Sequence, residues 1–495
     1  MDRKRNTYFH YGRAGACLLL AVVGLVWLTG CSLFGSGDET VRDPNADKPQ
    51  PEIVRYTGEK SKVYPFVYTA KRELSLTFNG MSDDVTMRKL LDELDRYRIR
   101  ATFFLPGMRV AEEPDVAKEI VARGHEIENN TLNRLDLTKL DYEQVYKEIH
   151  LSNEIIQRET GVTPQFVRTK SGDYNDDVRL ATAQIGLKGV VSYSLFLHNW
   201  QSESEPEKYL YIRKHITRGG IINIDTEEDK ALLEAIPMLA RAAEDVGYSF
   251  VPVSKLVAHG GIRKPLEEIK GYDAIKPNKN YENAKYNLIF SNRETRKKEV
   301  ALTFDDWGTD YTITKILDIL EKYDVKATFF LRANGVEANP NLARAILEAG
   351  HDVANHSYSH PVVTTLTPEQ LQDDIVKAHQ VITEAIQQQP TMLFRPPTGE
   401  IDDKTAKIIS AIGFPNIALY DVTTFDWDAN NSANHIENII MNQTQNGSVI
   451  LLHMLDDIHT IEALPSVIEG LEKKGFTLVK MADLIGLNQS GGRKQ

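Results

Sequence analysis

The chain repeats itself once, and that repeat decides its architecture. Leu76-Thr77-Phe78 recurs as Leu302-Thr303-Phe304, and Ala101-Thr102-Phe103-Phe104-Leu105 recurs as Ala327-Thr328-Phe329-Phe330-Leu331, both 226 residues on. Gly124-His125 meets Gly350-His351 at the same offset. Arg168 and Trp200 match Arg395 and Trp427 at 227, and Gly219 and Gly247 match Gly447 and Gly475 at 228. Two one-residue slips over so long a register mean a duplicated domain, because chance identities do not keep one offset. Each copy is large enough to bury its own core. The expectation is two tandem domains, residues 63–258 and 298–486, with a Lys-, Asn- and Tyr-rich connector over 259–297 and a polar tail over 487–495.

The N-terminal residues read as an export signal. Arg3, Lys4, Arg5 and Arg13 precede an almost wholly apolar run from Ala14 to Leu28, of secretory length and too short to span a membrane comfortably. It ends in Leu28-Thr29-Gly30-Cys31, which resembles a bacterial lipobox, so Cys31 is the expected lipidation site after removal of residues 1–30. A polar tether, 31–62, follows. The expected location is the outer side of the bacterial cytoplasmic membrane. Cys17 and Cys31 are the only cysteines among 495 residues, which excludes a disulfide framework or thiolate zinc site beyond them. A net charge of -12 opposes phosphate-backbone binding, so no nucleic-acid partner is expected.

In the second copy, short apolar runs alternate with helical patterns. Val300 to Phe304, Ala327 to Leu331 and Val449 to Leu452 read as buried strands; Ile313, Ile316, Leu317 and Leu320, then Leu371, Ile375, Ala378, Ile382 and Ile386, repeat at helical spacing. The alternation predicts an α/β fold with a parallel sheet, either open and doubly wound or closed into a barrel. In both, the site forms at the C-terminal ends of strands.

Asp305 and Asp306 stand at such an end. His356 and His360 are four apart, a spacing that puts two imidazoles on one face of a helical turn. One carboxylate with two imidazoles leaves positions open for water and substrate, the layout of a catalytic metal site.

Residues 298–486 resemble the polysaccharide deacetylases, carbohydrate esterase family 4. Five motifs appear in order: Thr303-Phe304-Asp305-Asp306, His356-Ser357-Tyr358-Ser359-His360, Arg395-Pro396-Pro397-Thr398-Gly399, Asp426-Trp427 and Leu451-Leu452-His453. The resemblance implies a distorted (β/α) barrel in each copy. It implies Asp305 as base, held by Arg395, and Asp306, His356 and His360 as ligands of one divalent metal ion, zinc first, with cobalt or nickel as alternatives. It implies His453 as general acid tuned by Asp426, the Thr398 amide as oxyanion donor, and Trp427 and Leu451 as walls of the acetyl pocket. The implied reaction is removal of N-acetyl groups from a cell-wall glycan, most simply peptidoglycan. The alternative is a lipoprotein that binds glycan without turnover. Trp307, Thr398 and Met454 depart from the family pattern, and the indole of Trp307 is expected to narrow or reshape the groove.

At the matching positions the first copy carries Asn79 and Gly80 for the Asp pair, Asn130 and Arg134 for the histidines, and Asp225 for His453. Ligand, base and acid are gone while Arg168, Gly172 and Trp200 remain. That predicts a kept fold without catalysis, either a glycan-binding pseudoenzyme or a spacer.

Overall fold

The computed structural model describes residues 52–197, 203–229 and 231–487. The export signal, Cys31, Trp200 and residues 488–495 of the polar tail lie outside the described residues. Among the described residues no helix is long and apolar enough to cross a membrane.

Every strand pairing in both copies is parallel. In the first copy the sheet runs Lys62–Tyr64, Gly189–Val191, Phe166–Val167, Glu126–Asn129, Thr102–Leu105, Glu73–Asn79, Ile221–Asp225, Leu195–Phe196, and Ser249–Phe250 adds to Glu73–Asn79. Sequential strands are neighbours until the seam between Gly189–Val191 and Leu195–Phe196, where the ring stays open. This is the distorted barrel that the resemblance implies.

The second copy repeats the order in Asp352–Asn355, Thr328–Leu331, Glu299–Asp306, Val449–His453 and Val422–Thr423, with Thr477–Leu478 beside Glu299–Asp306. Phe394 bridges Asn355 to Ile417 and thereby links Asn416–Ala418 and its partner Asn287–Ile289 to the rest. The strands are apolar on both faces because helices cover one side and the barrel interior the other. Phe304 stacks on Phe329 at 5.0 Å between ring centres, and Phe78 stacks on Phe103 at 4.9 Å in the first copy. Each such fully buried ring contributes about 1.5–3 kcal/mol. The two apolar stripes read from spacing lie on the helices Asp310–Lys322 and Pro368–Ile386, the latter started by a capping box of Thr367 and Gln370.

Two segments are more ordered than a tether and a connector. Ile53 and Tyr56 pack on the first copy's core, and Lys62–Tyr64 pairs with Gly189–Val191. Asn287–Ile289 is the second copy's equivalent strand, and Ile275, Tyr281 and Tyr286 fill its core. The second copy's sheet therefore begins before residue 298. The polar composition of 259–297 hid this, because its few apolar side chains are spaced too widely to show a period. From Ile53 the described chain forms one compact unit containing both copies.

Candidate active site

Strand register places the first pair of functional groups. Asp305 on Glu299–Asp306 lies directly opposite His453 at the end of Val449–His453. The chain then leaves the strand through Asp306 at φ 75, a left-handed conformation that swings its carboxylate toward the neighbouring loop.

That loop carries His356 and His360. They are not on a helical turn: the strand Asp352–Asn355 ends just before His356, and Ser357 (φ 66) and His360 (φ 61) reverse the chain. The Ser357 hydroxyl accepts from the His360 amide at 3.0 Å and the Asn355 side chain accepts from the Ser357 amide at 2.8 Å, so the turn is held by its own polar residues. The two rings come together with centres 5.1 Å apart.

Asp305, Asp306, His356, His360, Thr398, Gly399, Tyr420, Trp427, Leu451 and His453 line one cavity of about 370 Å³. Arg395 and Asp426 stand behind it, fully buried. Trp427 is 43% exposed, its ring edge-on to His453 at 5.1 Å, which suits a wall shared with solvent. Trp307 does not line the cavity. Its indole lies on Gly335, where a Cβ could not fit, and packs against the core. Sequence reasoning missed Tyr420. Its signal was the repeat itself, since Tyr193 stands 227 residues earlier.

Arg395 organises two groups at once. Its guanidinium donates to Asp305 Oδ1 at 2.7 Å and to Thr303 Oγ1 at 2.8 Å, and lies 3.9 Å from the centre of the Phe330 ring. Its carbonyl oxygen accepts from His356 Nδ1 at 2.9 Å, which fixes the proton there and leaves the unprotonated Nε2, with its lone pair, facing the cavity. Burial pushes the His356 imidazole down to about 3, so it is neutral and competent as a ligand. Burial raises the Asp305 carboxyl, against the opposing charges of Arg395 and His453, toward a more basic group.

His453 is set by a buried carboxylate behind it. Asp426 Oδ1 accepts from its Nδ1 at 2.8 Å, and Asp426 Oδ2 accepts from its backbone amide at 2.7 Å and from Thr460 at 2.6 Å. Burial pulls the imidazole down, but the hydrogen bond and charge of Asp426, with Asp305 and Asp306 nearby, outweigh it and the net shift is upward. The ring is held with Nε2 free.

One ligand atom from each of Asp306, His356 and His360 lies within 4.8 Å of the others. Asp306 Oδ1 is buried without a hydrogen-bond partner, although His360 Nε2 stands 3.2 Å from it. A bare carboxylate oxygen beside an imidazole that is not aligned to donate is the disposition of two groups converging on a third, and the donor set fits a divalent cation.

The family model for polysaccharide deacetylases matches residues 67–190 and again 292–417. The chain belongs to the polysaccharide deacetylases. Among related proteins, the peptidoglycan-N-acetylglucosamine deacetylase of Bacillus cereus is 36% identical over 204 residues, 40% of this chain and 72% of that protein. The peptidoglycan-N-acetylmuramic acid deacetylase PdaA of Bacillus subtilis is 30% identical over 193 residues, 39% of this chain and 73% of that protein. The solved Bc1960 peptidoglycan N-acetylglucosamine deacetylase is 34% identical with a TM-score of 0.38, over 40% of this chain and 92% of that one. In this deacetylase the second copy carries the full donor set and the first does not.

Proposed function

We propose that the second copy hydrolyses N-acetyl groups of amino sugars in peptidoglycan, and that a lipid on Cys31 holds the protein beside that polymer on the outer face of the cytoplasmic membrane. The observation that carries the reading is the convergence of Asp305 with Arg395, the Asp306, His356 and His360 trio, and His453 with Asp426 on one cavity. The relatives named as peptidoglycan deacetylases support the choice of polymer.

Asp306, His356 and His360 would hold one divalent cation, zinc by donor type; when bound it supplies an acidified water and polarises the amide carbonyl. Asp305 accepts the water's proton at Oδ2, because Oδ1 is engaged by Arg395. Its raised affinity for protons suits that task. His453 delivers a proton from Nε2 to the leaving nitrogen as the C–N bond breaks, since Nδ1 is committed to Asp426. The Thr398 amide, in a left-handed turn at φ 62, donates to the carbonyl oxygen as its charge grows. Trp427 and Leu451 enclose the acetyl methyl. Acetate and a free amino sugar leave. A glycan-binding lipoprotein without turnover would have no use for a buried carboxylate and a buried imidazole that both hold protons more tightly than usual, Asp305 placed to take one and His453 to give one.

Acetate release from purified peptidoglycan, with zinc and again after a chelator, tests the reading. Release that stops with chelator is expected; none under either condition would sink it.

A further inference from the structure

We propose that Arg218 and Tyr248 of the first copy are positioning residues for the metal-holding loops of the second copy, acting through the buried carboxylate of Asp310. The proposal rests on the deacetylase reading above and gives the degenerate copy a task that needs no glycan.

Asp310 opens the helix Asp310–Lys322, four residues after Asp306, and is buried at the junction of the copies. Its Oδ1 accepts from Arg218 Nε at 3.2 Å and from the Tyr248 hydroxyl; its Oδ2 accepts from Asn339 Nδ2 at 2.7 Å and from the Arg218 amide at 3.4 Å. Arg218, itself buried, also donates to Thr314 Oγ1 at 2.7 Å and to the Ala70 carbonyl at 2.9 Å. A carboxylate so far from water is tolerable only with these partners, and removing the guanidinium leaves it uncompensated.

Two routes lead from Asp310 to the site. Along the chain only Trp307, Gly308 and Thr309 separate it from Asp306, and Gly308 is pressed against the Met454 carbonyl with no room for a Cβ, so the segment has little slack. Across the fold, Asn339 ends the short helix Ala333–Ala338. At the other end of that helix the Arg332 amide donates to the Asp306 carbonyl at 3.2 Å, the Ala333 amide to Ser357 at 3.0 Å and the Asn334 amide to Tyr358 at 3.1 Å. The helix is thus a strut whose one end is pinned by Asp310 and whose other end holds Asp306 and the turn between His356 and His360. Groups that orient ligands without touching the metal are worth about tenfold to a hundredfold in affinity.

A role in docking alone makes a different forecast, and Tyr68 separates the two. Its hydroxyl also crosses the junction, donating to the Ala385 carbonyl at 2.5 Å and accepting from Arg344 at 2.7 Å, but it does not meet the strut. The experiment measures zinc affinity by chelator competition, and kcat and KM for acetate release, in the full chain. Arg218→Ala is expected to weaken zinc about tenfold and to lower kcat with KM little changed, Arg218→Lys to recover part of both, and Tyr248→Phe to weaken zinc about threefold. Tyr68→Phe should match wild type. If Arg218→Ala fails to fold, Tyr248→Phe, which loses one hydroxyl and no charge, carries the decision. Wild-type zinc affinity in Tyr248→Phe, or an equal loss in Tyr68→Phe, would overturn the proposal. A wild-type chain that binds zinc yet releases no acetate counts against the deacetylase reading alone, since zinc affinity still reports the strut.

Discussion

The guanidinium of Arg134 donates to the carboxylate of Asp225 at 2.6 Å, closing across the first copy the space that the histidines and His453 leave open in the second. A second arm reaches Glu227 at 2.6 Å. A Cβ on Gly80 would stand 2.6 Å from that guanidinium, so an arginine fills the place where the second copy gathers ligands. Nearby, Asn130 donates to the Arg168 carbonyl at 2.9 Å, the bond His356 makes with Arg395. Arg168 keeps its buried seat against Phe104 but, lacking a carboxylate, bonds Asn223 at 2.9 Å, and burial pushes its guanidinium down to about 9.

Metal binding should be confined to the second copy. One zinc per chain is the expected stoichiometry by metal analysis after dialysis, falling to none in His356→Ala. Two ions per wild-type chain would contradict the account of the first copy.

Asp305→Asn should cut turnover by about 10² to 10⁴ while zinc remains bound, because the three ligands are untouched. Steady-state acetate release paired with metal analysis decides this. Turnover at the wild-type rate would remove Asp305 from the role of base.

The alkaline side of the pH–rate profile should follow His453. Its upward shift keeps the imidazolium available, and activity falls as pH rises through that value. Asp426→Asn withdraws the cause, so the alkaline limb should move to lower pH. The same sign holds for stability: the His453–Asp426 contribution is complete below about 6.5, the unfolded value, and is lost as pH rises through the raised folded one. A profile that does not move would assign the limb elsewhere.

The first copy's backbone is ready for ligands. Thr131 and Ser357 share φ 66, Arg134 and His360 have φ 55 and 61, and Gly80 and Asp306 have φ 83 and 75. In the full chain, Asn79→Asp, Gly80→Asp, Asn130→His and Arg134→His together should raise the zinc count from one to two. A count still at one would mean that Asp225 and Glu227, left in place, hold the site shut.

Cys31→Ser should abolish incorporation of labelled lipid and leave an unprocessed or released protein. Label retained in that variant would rule out Cys31 as the anchor.

Much of this protein was legible in one dimension. The offsets of 226 to 228 gave the duplication, two-sided apolar runs gave the parallel strands, and the order of motifs gave the family, because each depends on residue type and spacing alone. Tertiary structure decided the rest. His356 and His360 meet through a left-handed turn and not a helix, a choice made by Ser357 and Asn355 hydrogen bonds that spacing does not encode. Trp307 turned onto Gly335 because the neighbouring helix offered a face without a side chain. Asn287–Ile289 joined the sheet only because Asn416–Ala418 left an edge to pair with. Arg218 and Asp310, 92 residues apart, became partners because two folded copies brought them to one dry junction, where a charge must find its opposite.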